Sequence, residues 1–237
     1  MSGIIGNNIV RDRLVLNLDA GDAKSYSGSG SIWYDRSGNG YNATLYNSPA
    51  YSAGYLQFRS STTNSKYATC TFDEGILRYQ NQAGQWTIEA IFKYISAPTS
   101  NEAVIAGRQG CHGGIYLWTD PSIYQAIKTD QCWTGAVNTY VNSVVVNGIY
   151  HSTMTYNNGT VRHYLNGYKA VNDSTLNLAS YNMQSYNTTF FIGGIPLSNP
   201  ELYATNTDIA IVRCYKKQLS DAEVLQNFNA TRKKFNI

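Results

Sequence analysis

The segment GIYHSTMTYNNGTVRHYLNGYKA, residues 148–170, decides the fold of this chain. Apolar and polar residues alternate on both sides of Asn157-Asn158-Gly159, which is the pattern of two strands that each bury one face. Asn and Gly accept the positive φ angles that a tight reverse turn requires. The sequence therefore predicts a β-hairpin at this point and a second one at Asn166-Gly167.

The same alternation recurs along the chain, beginning at Leu14. The predicted strands are 14–19, 55–58, 67–72, 86–94, 103–107, 114–118, 141–146, 150–156, 161–166, 189–192 and 208–215. Turn residues separate them, and no helices alternate with them as they do in parallel sheets. This pattern predicts an all-β fold in which two antiparallel sheets pack as a sandwich or jelly roll.

One short helix is predicted near the C-terminal end, at residues 220–231. Ser220 and Glu223 have the spacing of a capping box, and Leu219 can pack on Val224 as a hydrophobic staple. Four apolar residues fall within one arc of the helical wheel and are expected to face the sheets. They are Ala222, Val224, Leu225 and Phe228.

Composition narrows the possible partners and the domain organisation. Charged residues are 14% of the sequence, against about a quarter in an average globular domain. The net charge of +3 is not clustered, so no nucleic-acid partner is expected. Neither a membrane span nor a signal peptide is predicted. We expect one domain over residues 14–237, preceded by an N-terminal arm at residues 1–13.

Five segments, taken in order, resemble the laminin G-like, or concanavalin A-like lectin/glucanase, superfamily. They are LVLNLDAGDAKSYSGSGSIWYDRSGNGYNATLYNSPAY (14–51), WTIEAIFKY (86–94), GIYHSTMTYNNGTVRHYLNGYKA (148–170), FFIGG (190–194) and DIAIVRCYKKQLSDAEVLQNFNAT (208–231). The first segment resembles the opening of laminin G-like domains in many tailed-phage structural proteins. The resemblance implies the concanavalin A-like sandwich fold.

For function, the resemblance implies a non-enzymatic structural protein of a tailed phage. We expect it on the particle surface, as a capsid decoration or on the tail, in contact with other virion proteins or with further copies of itself. The alternative is a carbohydrate-binding adhesin that recognises host surface glycans, with or without calcium. A glycoside hydrolase is the third hypothesis, because the superfamily also contains such enzymes.

The motifs of enzymes are missing from the sequence. A glycosidase needs two carboxylates that face each other across a sugar. Glu89 is the only glutamate at the centre of a well-predicted strand, and alternation places it on one face with Lys93, so we interpret the two as a surface ion pair. The histidines have no H-x-x-x-H spacing, which a helical zinc site would use. No enzyme activity and no required cofactor is expected.

An aromatic and polar segment between two predicted strands is the candidate glycan site. Its candidate carbohydrate-binding residues are Tyr116, Trp118, Asp120, Tyr124, Asp130 and Trp133. Aromatic rings pack on the apolar faces of sugars while polar side chains bind sugar hydroxyls. Alternatively, the segment buries its own rings or packs on a neighbouring subunit. The same two interpretations apply to Trp33, Tyr34, Tyr41 and Tyr46.

Two further features have two interpretations each. Asp35, Ser37 and Asn39 in DRSGNG present oxygen atoms at alternate positions before a glycine, which suits calcium, but the same letters describe an ordinary Asx-type turn. Cys111 and Cys132 flank the aromatic segment and form the expected disulfide if the protein reaches an oxidising exterior. Otherwise all the cysteines are ordinary thiols.

Overall fold

The structure is a computed structural model. The structure describes residues 8–59, 65–72, 84–98, 103–108, 114–117, 122–127, 137–141, 144–170, 174–175, 189–195 and 205–237. The first strands are β1 (Leu14–Asp19), β2 (Ile32–Trp33), β3 (Ala43–Tyr46), β4 (Ala50–Ser52), β5 (Tyr55–Phe58), β6 (Tyr67–Thr71), β7 (Gln85–Tyr94), β8 (Ala103–Arg108) and β9 (Gly114–Leu117). They are followed by β10 (Ile123–Ile127), β11 (Val137–Val141), β12 (Ile149–Asn157), β13 (Thr160–Leu165), β14 (Tyr168–Lys169), β15 (Ser174–Thr175), β16 (Thr189–Ile192), β17 (Thr207–Tyr215) and the helix α1 (Asp221–Phe235).

The strands form the two antiparallel sheets that the alternation predicts. In the described part of the chain, the first sheet has the order β14-β13-β12-β7-β17-β5-β4, with β1 beside β17 and β15 beside β13. The second sheet has the order β11-β10-β9-β8-β16-β6-β3-β2. Their inner faces enclose one large apolar core, to which β7 contributes Trp86, Ile88 and Phe92 and β16 contributes Phe190 and Ile192.

Both predicted hairpins are present. β12 pairs with β13 around Asn158 and Gly159, whose φ angles are 45° and 92°. β13 pairs with β14 around Asn166 and Gly167, whose φ angles are 50° and 81°. Two consecutive residues with positive φ match the right-handed twist of the flanking strands, which explains why Asn-Gly occurs at these positions.

The strand predicted at residues 141–146 is wrong for residues 144–146, which form no strand. β11 ends at Val141, while Val145 and Val146 are exposed and lead into a turn that Gly148 closes by donating its N–H to the Val145 carbonyl over 2.8 Å. Valine favours strands because its branched side chain packs well on a half-buried sheet. These valines pack on no sheet, so their intrinsic preference does not determine the structure.

The helix begins as predicted and is one turn longer. Ser220 is the N-cap, and both hydrogen bonds of the capping box with Glu223 are present. The helix continues to Phe235 and ends where Asn236 adopts a left-handed conformation, with φ 55°. Its buried face differs from the predicted one, because Ala222 is exposed and Leu225 half-buried. The buried side chains are Val224, Asn227, Phe228, Thr231 and Phe235.

The end of the predicted N-terminal arm packs on this helix. The main-chain N–H of Val10 donates to Asn227 Oδ1 over 2.8 Å, and the Tyr215 hydroxyl donates to the Val10 carbonyl over 3.2 Å. Gln226 Nε2 also donates to the Asn8 carbonyl over 2.8 Å. Residues 1–7 lie outside the described residues, so the predicted arm stays a prediction over that part of the chain.

Candidate functional site

A groove opens at one side of the sandwich, between the edge strands of the two sheets. In the described part of the chain, β4 lies at one edge of the first sheet and β2 lies at one edge of the second. The groove is lined by Tyr26, residues 28–31, Leu45 and residues 48–51, and its volume is about 490 Å³. That volume lies in the range of about 300–1,000 Å³ that is usual for small-molecule sites. We call it the edge groove.

Two tyrosines form the aromatic wall of the edge groove. Tyr51 in β4 is 39% exposed, whereas Tyr26 is buried. Their ring centroids are 5.4 Å apart and their planes meet at 61°, which is a favourable edge-to-face contact. Tyr51 pairs with the core residue Leu56, and residues opposite each other share a face, so the Tyr51 ring lies on the inner side of its strand. Tyr26 therefore holds the Tyr51 ring at the opening of the sandwich.

The loop before β2 forms the opposite wall and is fixed by hydrogen bonds. The Tyr26 hydroxyl donates to the Gly30 carbonyl over 3.1 Å, and the Leu45 N–H donates to the Ser31 carbonyl over 2.7 Å. Burial raises the pKa of Tyr26 above its ordinary value of 10.0, and the nearby Tyr51 adds to the rise, so this hydroxyl remains a donor at neutral pH. Gly28 has φ 97°, a conformation that favours glycine.

Three serines place hydroxyl groups at the edge groove. Ser29, Ser31 and Ser48 are exposed, and their side chains make no hydrogen bond with the part of the chain that the structure describes. Each hydroxyl can both donate and accept, as a sugar hydroxyl can. With the exposed ring of Tyr51, the groove combines a flat apolar surface with polar groups that have no internal partner.

The predicted calcium residues lie together in one turn. Asp35 Oδ1 accepts the main-chain N–H groups of Asn17 and Ser37 over 2.9 and 2.8 Å. Its Oδ2 accepts the Ser37 hydroxyl over 2.6 Å and the Gly40 N–H over 3.1 Å, while Asn39 Nδ2 donates to Ser37 Oγ over 2.9 Å. These bonds are those of an Asx-type turn, which was the second interpretation of the sequence. The calcium hypothesis stays a prediction.

Most of the predicted carbohydrate-binding segment lies outside the described residues. This applies to Trp118, Asp120, Asp130, Trp133, Cys111 and Cys132. Tyr116 lies in β9 and is only 3% exposed, so its ring does not offer a face to a sugar. Tyr124 lies opposite Tyr116 in β10. The binding roles of the segment, like the disulfide, stay predictions.

The aromatic residues of the first loop have different environments. Trp33 is fully buried in the core, and Tyr41 packs against the core at its edge. Tyr34 is exposed, and Tyr46 stacks on Tyr67 with ring centroids 4.7 Å apart. These residues therefore do not form one aromatic platform.

Glu89 is not part of a surface ion pair, which corrects the prediction from alternation. Its carboxylate is fully buried between the first sheet and α1. Glu89 Oε1 lies 3.1 Å from His151 Nε2, and Oε2 accepts Asn227 Nδ2 over 2.9 Å. Arg213 Nη1 lies 3.7 Å from the same Oε2. Alternation places Glu89 on the correct face of β7. However, α1 covers that face, so Glu89 is not exposed to solvent.

The polar residues around Glu89 form a connected network, which we call the buried network. It consists of Glu89, His151, Arg213, Tyr215 and Asn227. Burial alone would raise the pKa of Glu89, but the hydrogen bond and electrostatic attraction of His151, the charge of Arg213 and the hydrogen bond from Asn227 hold it below its ordinary value of 4.5. Glu89 is therefore an ionised and enclosed group, which neither accepts a substrate proton nor contacts a sugar.

Sequence reasoning missed the edge groove, although the sequence carries a signal for it. Residues 25–34 and 41–58 contain no Asp, Glu, Lys, Arg or His. These two segments supply the described lining of the groove. Two uncharged segments rich in tyrosine, serine and glycine indicate a surface that serves contact, since rigid aromatic and small polar residues are typical of binding surfaces.

The described residues contain neither a metal-binding cluster nor a helix that could span a membrane. No group of three or more His, Cys, Asp or Glu side chains is arranged to hold a metal ion among the residues that were described. Across the same residues, no helix has both the length and the apolar character to span a bilayer.

Solved structures resemble this fold at low sequence identity. The binding domain of botulinum neurotoxin DC in complex with SialylT superposes with a TM-score of 0.70 and 13% identity, over 93% of this chain and 52% of the neurotoxin chain. The same domain in complex with rat synaptotagmin II gives a TM-score of 0.68 and 14% identity, with the same coverage of 93% and 52%. A Trypanosoma rangeli sialidase in complex with 2,3-difluorosialic acid gives 0.63 and 17%, over 94% of this chain and 33% of the enzyme.

The similarity to these structures shows the fold alone. This chain spans about half the length of the neurotoxin chains, at 52%, and a third of the sialidase, at 33%. No curated protein sequence matches it. The family model described as the concanavalin A-like lectin/glucanases superfamily matches residues 64–225, which is more than half of the chain. The chain belongs to the concanavalin A-like lectin/glucanases superfamily.

Proposed function

We propose that this protein binds carbohydrate through the edge groove and does not hydrolyse it. The observation that carries the proposal is the exposed ring of Tyr51, held by Tyr26 and flanked by the hydroxyls of Ser29, Ser31 and Ser48. An aromatic ring buries the apolar face of a sugar, and hydroxyls without internal partners bind the sugar hydroxyls.

Two further observations support binding over catalysis. Hydrolysis of a glycosidic bond uses two carboxylates on opposite sides of the sugar, and the described lining of the edge groove has none. Similar solved structures include a neurotoxin binding domain in complex with SialylT and botulinum neurotoxin type C, whose cell entry depends on two ganglioside molecules. A sialidase is also similar, so turnover has to be measured as well as binding.

The test is a glycan array probed with the full chain and with two tyrosine variants. Tyr51→Ala should lose binding to the glycans that the unmodified chain selects. Tyr168→Ala is the matched control, because Tyr168 is 66% exposed in β14, at the opposite edge of the same sheet. Binding that is unchanged in Tyr51→Ala, or turnover of a bound glycan, would contradict the proposal.

The array should be run with calcium and with a chelator. The edge groove uses no carboxylate of the Asp35 turn, so we expect binding in both buffers. Binding that disappears with chelator would instead support the calcium hypothesis for Asp35, Ser37 and Asn39.

As a second function, we propose a structural role on the capsid surface or tail of a tailed-phage particle. Residues 14–51 resemble the opening of phage laminin G-like domains. Val145 and Val146 are 65% and 63% exposed, and neighbouring apolar side chains at a surface favour contact with another protein. This role is compatible with glycan binding, because neither Val145 nor Val146 is among the described residues that line the edge groove.

The structural role requires that a tailed-phage genome encode this sequence, and it is tested on purified particles of such a phage. Quantitative mass spectrometry should find the chain at a fixed copy number per purified particle. Val145→Ser with Val146→Ser should lower that copy number without lowering the thermal stability of the isolated protein. Particles that contain none of the chain would overturn this second proposal.

A further inference from the structure

We propose that the edge groove selects neutral glycans over glycans that carry sialic acid or sulfate. This inference rests on the proposed carbohydrate function and adds the chemical class of the ligand. The observation that carries it is the absence of charged side chains from the described lining of both walls. Residues 25–34 read SYSGSGSIWY and residues 41–58 read YNATLYNSPAYSAGYLQF, and together they provide all the described lining residues.

An anionic sugar would lose water in this groove without gaining a cation. A buried carboxylate or sulfate is costly unless it is paired, and proteins usually pair it with the planar guanidinium of arginine or with lysine. Serine hydroxyls and main-chain N–H groups can bind an anion, but as neutral donors they give roughly half the strength of charge-assisted bonds. The described walls therefore favour a ligand without charge.

The cations nearest to the two walls in sequence do not line the described groove. They are Lys24, Arg36 and Arg59. Arg36 Nε lies 3.6 Å from Asp22 Oδ2, and Arg59 forms an ion pair with Asp208 and donates to the Thr207 carbonyl over 2.9 Å. Recruiting either arginine to a ligand would break an existing pair. Lys24 and Arg36 are both exposed, and Lys24 makes no ion pair within the described residues.

A neutral sugar can contact both kinds of group in the edge groove, the aromatic ring and the serine hydroxyls. Its apolar ring face can cover the exposed side of Tyr51, whose position is fixed by Tyr26. Its hydroxyls can donate to and accept from Ser29, Ser31 and Ser48. Contacts of this kind involve no net charge, so the binding should not depend on ionic strength.

The experiment compares pairs of glycans that differ only in a terminal sialic acid or sulfate. The full chain is expected to bind the neutral member of each selected pair at least tenfold more tightly, with the same Kd at 50 mM and 500 mM NaCl. Tyr51→Ala should weaken that binding at least tenfold, and Tyr168→Ala should leave it unchanged. Lys24→Ala is a second control, since binding through this lysine would require the anionic member.

The outcomes separate this inference from the proposed function. Equal binding of both members, or preference for the anionic member, would overturn the selectivity while carbohydrate binding still stood. Neutral preference that persists at full affinity in Tyr51→Ala would show that the ligand binds outside the edge groove and would overturn the assignment. If no glycan binds, both the inference and the proposed function fail.

Discussion

The edge groove and the buried network are both polar, but their polar groups have opposite environments. In the buried network, the Glu89 carboxylate is enclosed by donors from β12, β17 and α1. In the edge groove, the hydroxyls of Ser29, Ser31 and Ser48 are exposed and make no hydrogen bond within the described residues. The buried network contains charge and excludes water, whereas the described lining of the edge groove has no charged side chain and is open to water.

This difference indicates which region stabilises the fold and which is available for a ligand. A buried charge that loses its partner is strongly destabilising, so each member of the buried network is constrained by the others. An exposed hydroxyl exchanges freely between water and a ligand, so the fold does not depend on it. Substitutions in the buried network should therefore change the free energy of unfolding, and substitutions in the edge groove should change the glycan affinity.

The largest effect on stability is expected for Glu89→Leu. The substitution leaves Arg213 and Asn227 buried without their acceptor, which should lower the free energy of unfolding by about 3–5 kcal/mol. Urea unfolding followed by tryptophan fluorescence measures this change. The matched control is Asp22→Asn, because Asp22 and Arg36 form an ion pair whose side chains are both 41% exposed.

The control should cost less than about 1 kcal/mol, since exposed ion pairs contribute little. If Glu89→Leu costs no more than Asp22→Asn, the buried network does not stabilise the fold. The comparison between the two regions would then lose its physical basis.

Asn227→Ala should have the next largest effect. The amide of Asn227 donates to Glu89 and Tyr215 and accepts the Val10 N–H, so its removal leaves several buried groups unpaired, at a cost of about 2 kcal/mol. Hydrogen exchange at the Val10 amide should become faster because this N–H loses its acceptor, Asn227 Oδ1. Gln226→Ala, which removes only an exposed bond to Asn8, is the control.

The same variant also tests whether the two regions are independent. Asn227→Ala should keep the glycan Kd of the unmodified chain, since Asn227 does not line the edge groove. A weaker glycan affinity would show that the helix and the groove are coupled.

A pH-dependent effect comes from His163, which is fully buried in β13. Burial lowers the pKa of His163 from 6.5 to about 3. The unfolded chain therefore binds a proton below pH 6.5 that the folded chain does not, so stability present above that pH is lost as the pH falls toward 3. Each pH unit in this window should cost up to about 1.4 kcal/mol.

Unfolding curves between pH 7 and pH 4 test this sign. His163→Leu removes the titrating group and should flatten the pH dependence in the upper part of that window. Glu89 adds its own loss only at lower pH, because its pKa lies below 4.5 in the folded chain. An equal slope in His163→Leu would contradict the prediction.

Local sequence patterns predicted those parts of the fold that local interactions determine. The hairpins at Asn158-Gly159 and Asn166-Gly167 depend on the φ angles of two residues each. The capping box of Ser220 and Glu223 lies within a single helical turn. The strand prediction failed at residues 144–146 because it rested only on the local preference of valine for strands. Tertiary packing overrides such a preference.

The candidate site could not be predicted in the same way, because it depends on contacts between distant segments. The contact between Tyr26 and Tyr51 depends on the positions of β4 in one sheet and β2 in the other. Alternation assigned Glu89 to the correct face, but the burial of that face depends on α1, more than a hundred residues later in the chain. The alternation of residues shows on which face of a strand a side chain lies. The topology of the whole fold determines which element covers that face.

The smallest effect on stability is expected for the combined variant Ser29→Ala, Ser31→Ala and Ser48→Ala. These hydroxyls make no hydrogen bond within the described residues, so each substitution should change the free energy of unfolding by less than about 0.5 kcal/mol. Glycan affinity should nevertheless fall about tenfold or more, because each lost neutral hydrogen bond contributes about 0.5–1.5 kcal/mol to binding. Urea unfolding and glycan titration of the same preparation measure both quantities. A loss of stability larger than 2 kcal/mol with unchanged affinity would mean that the hydroxyls serve the fold, as the buried network does.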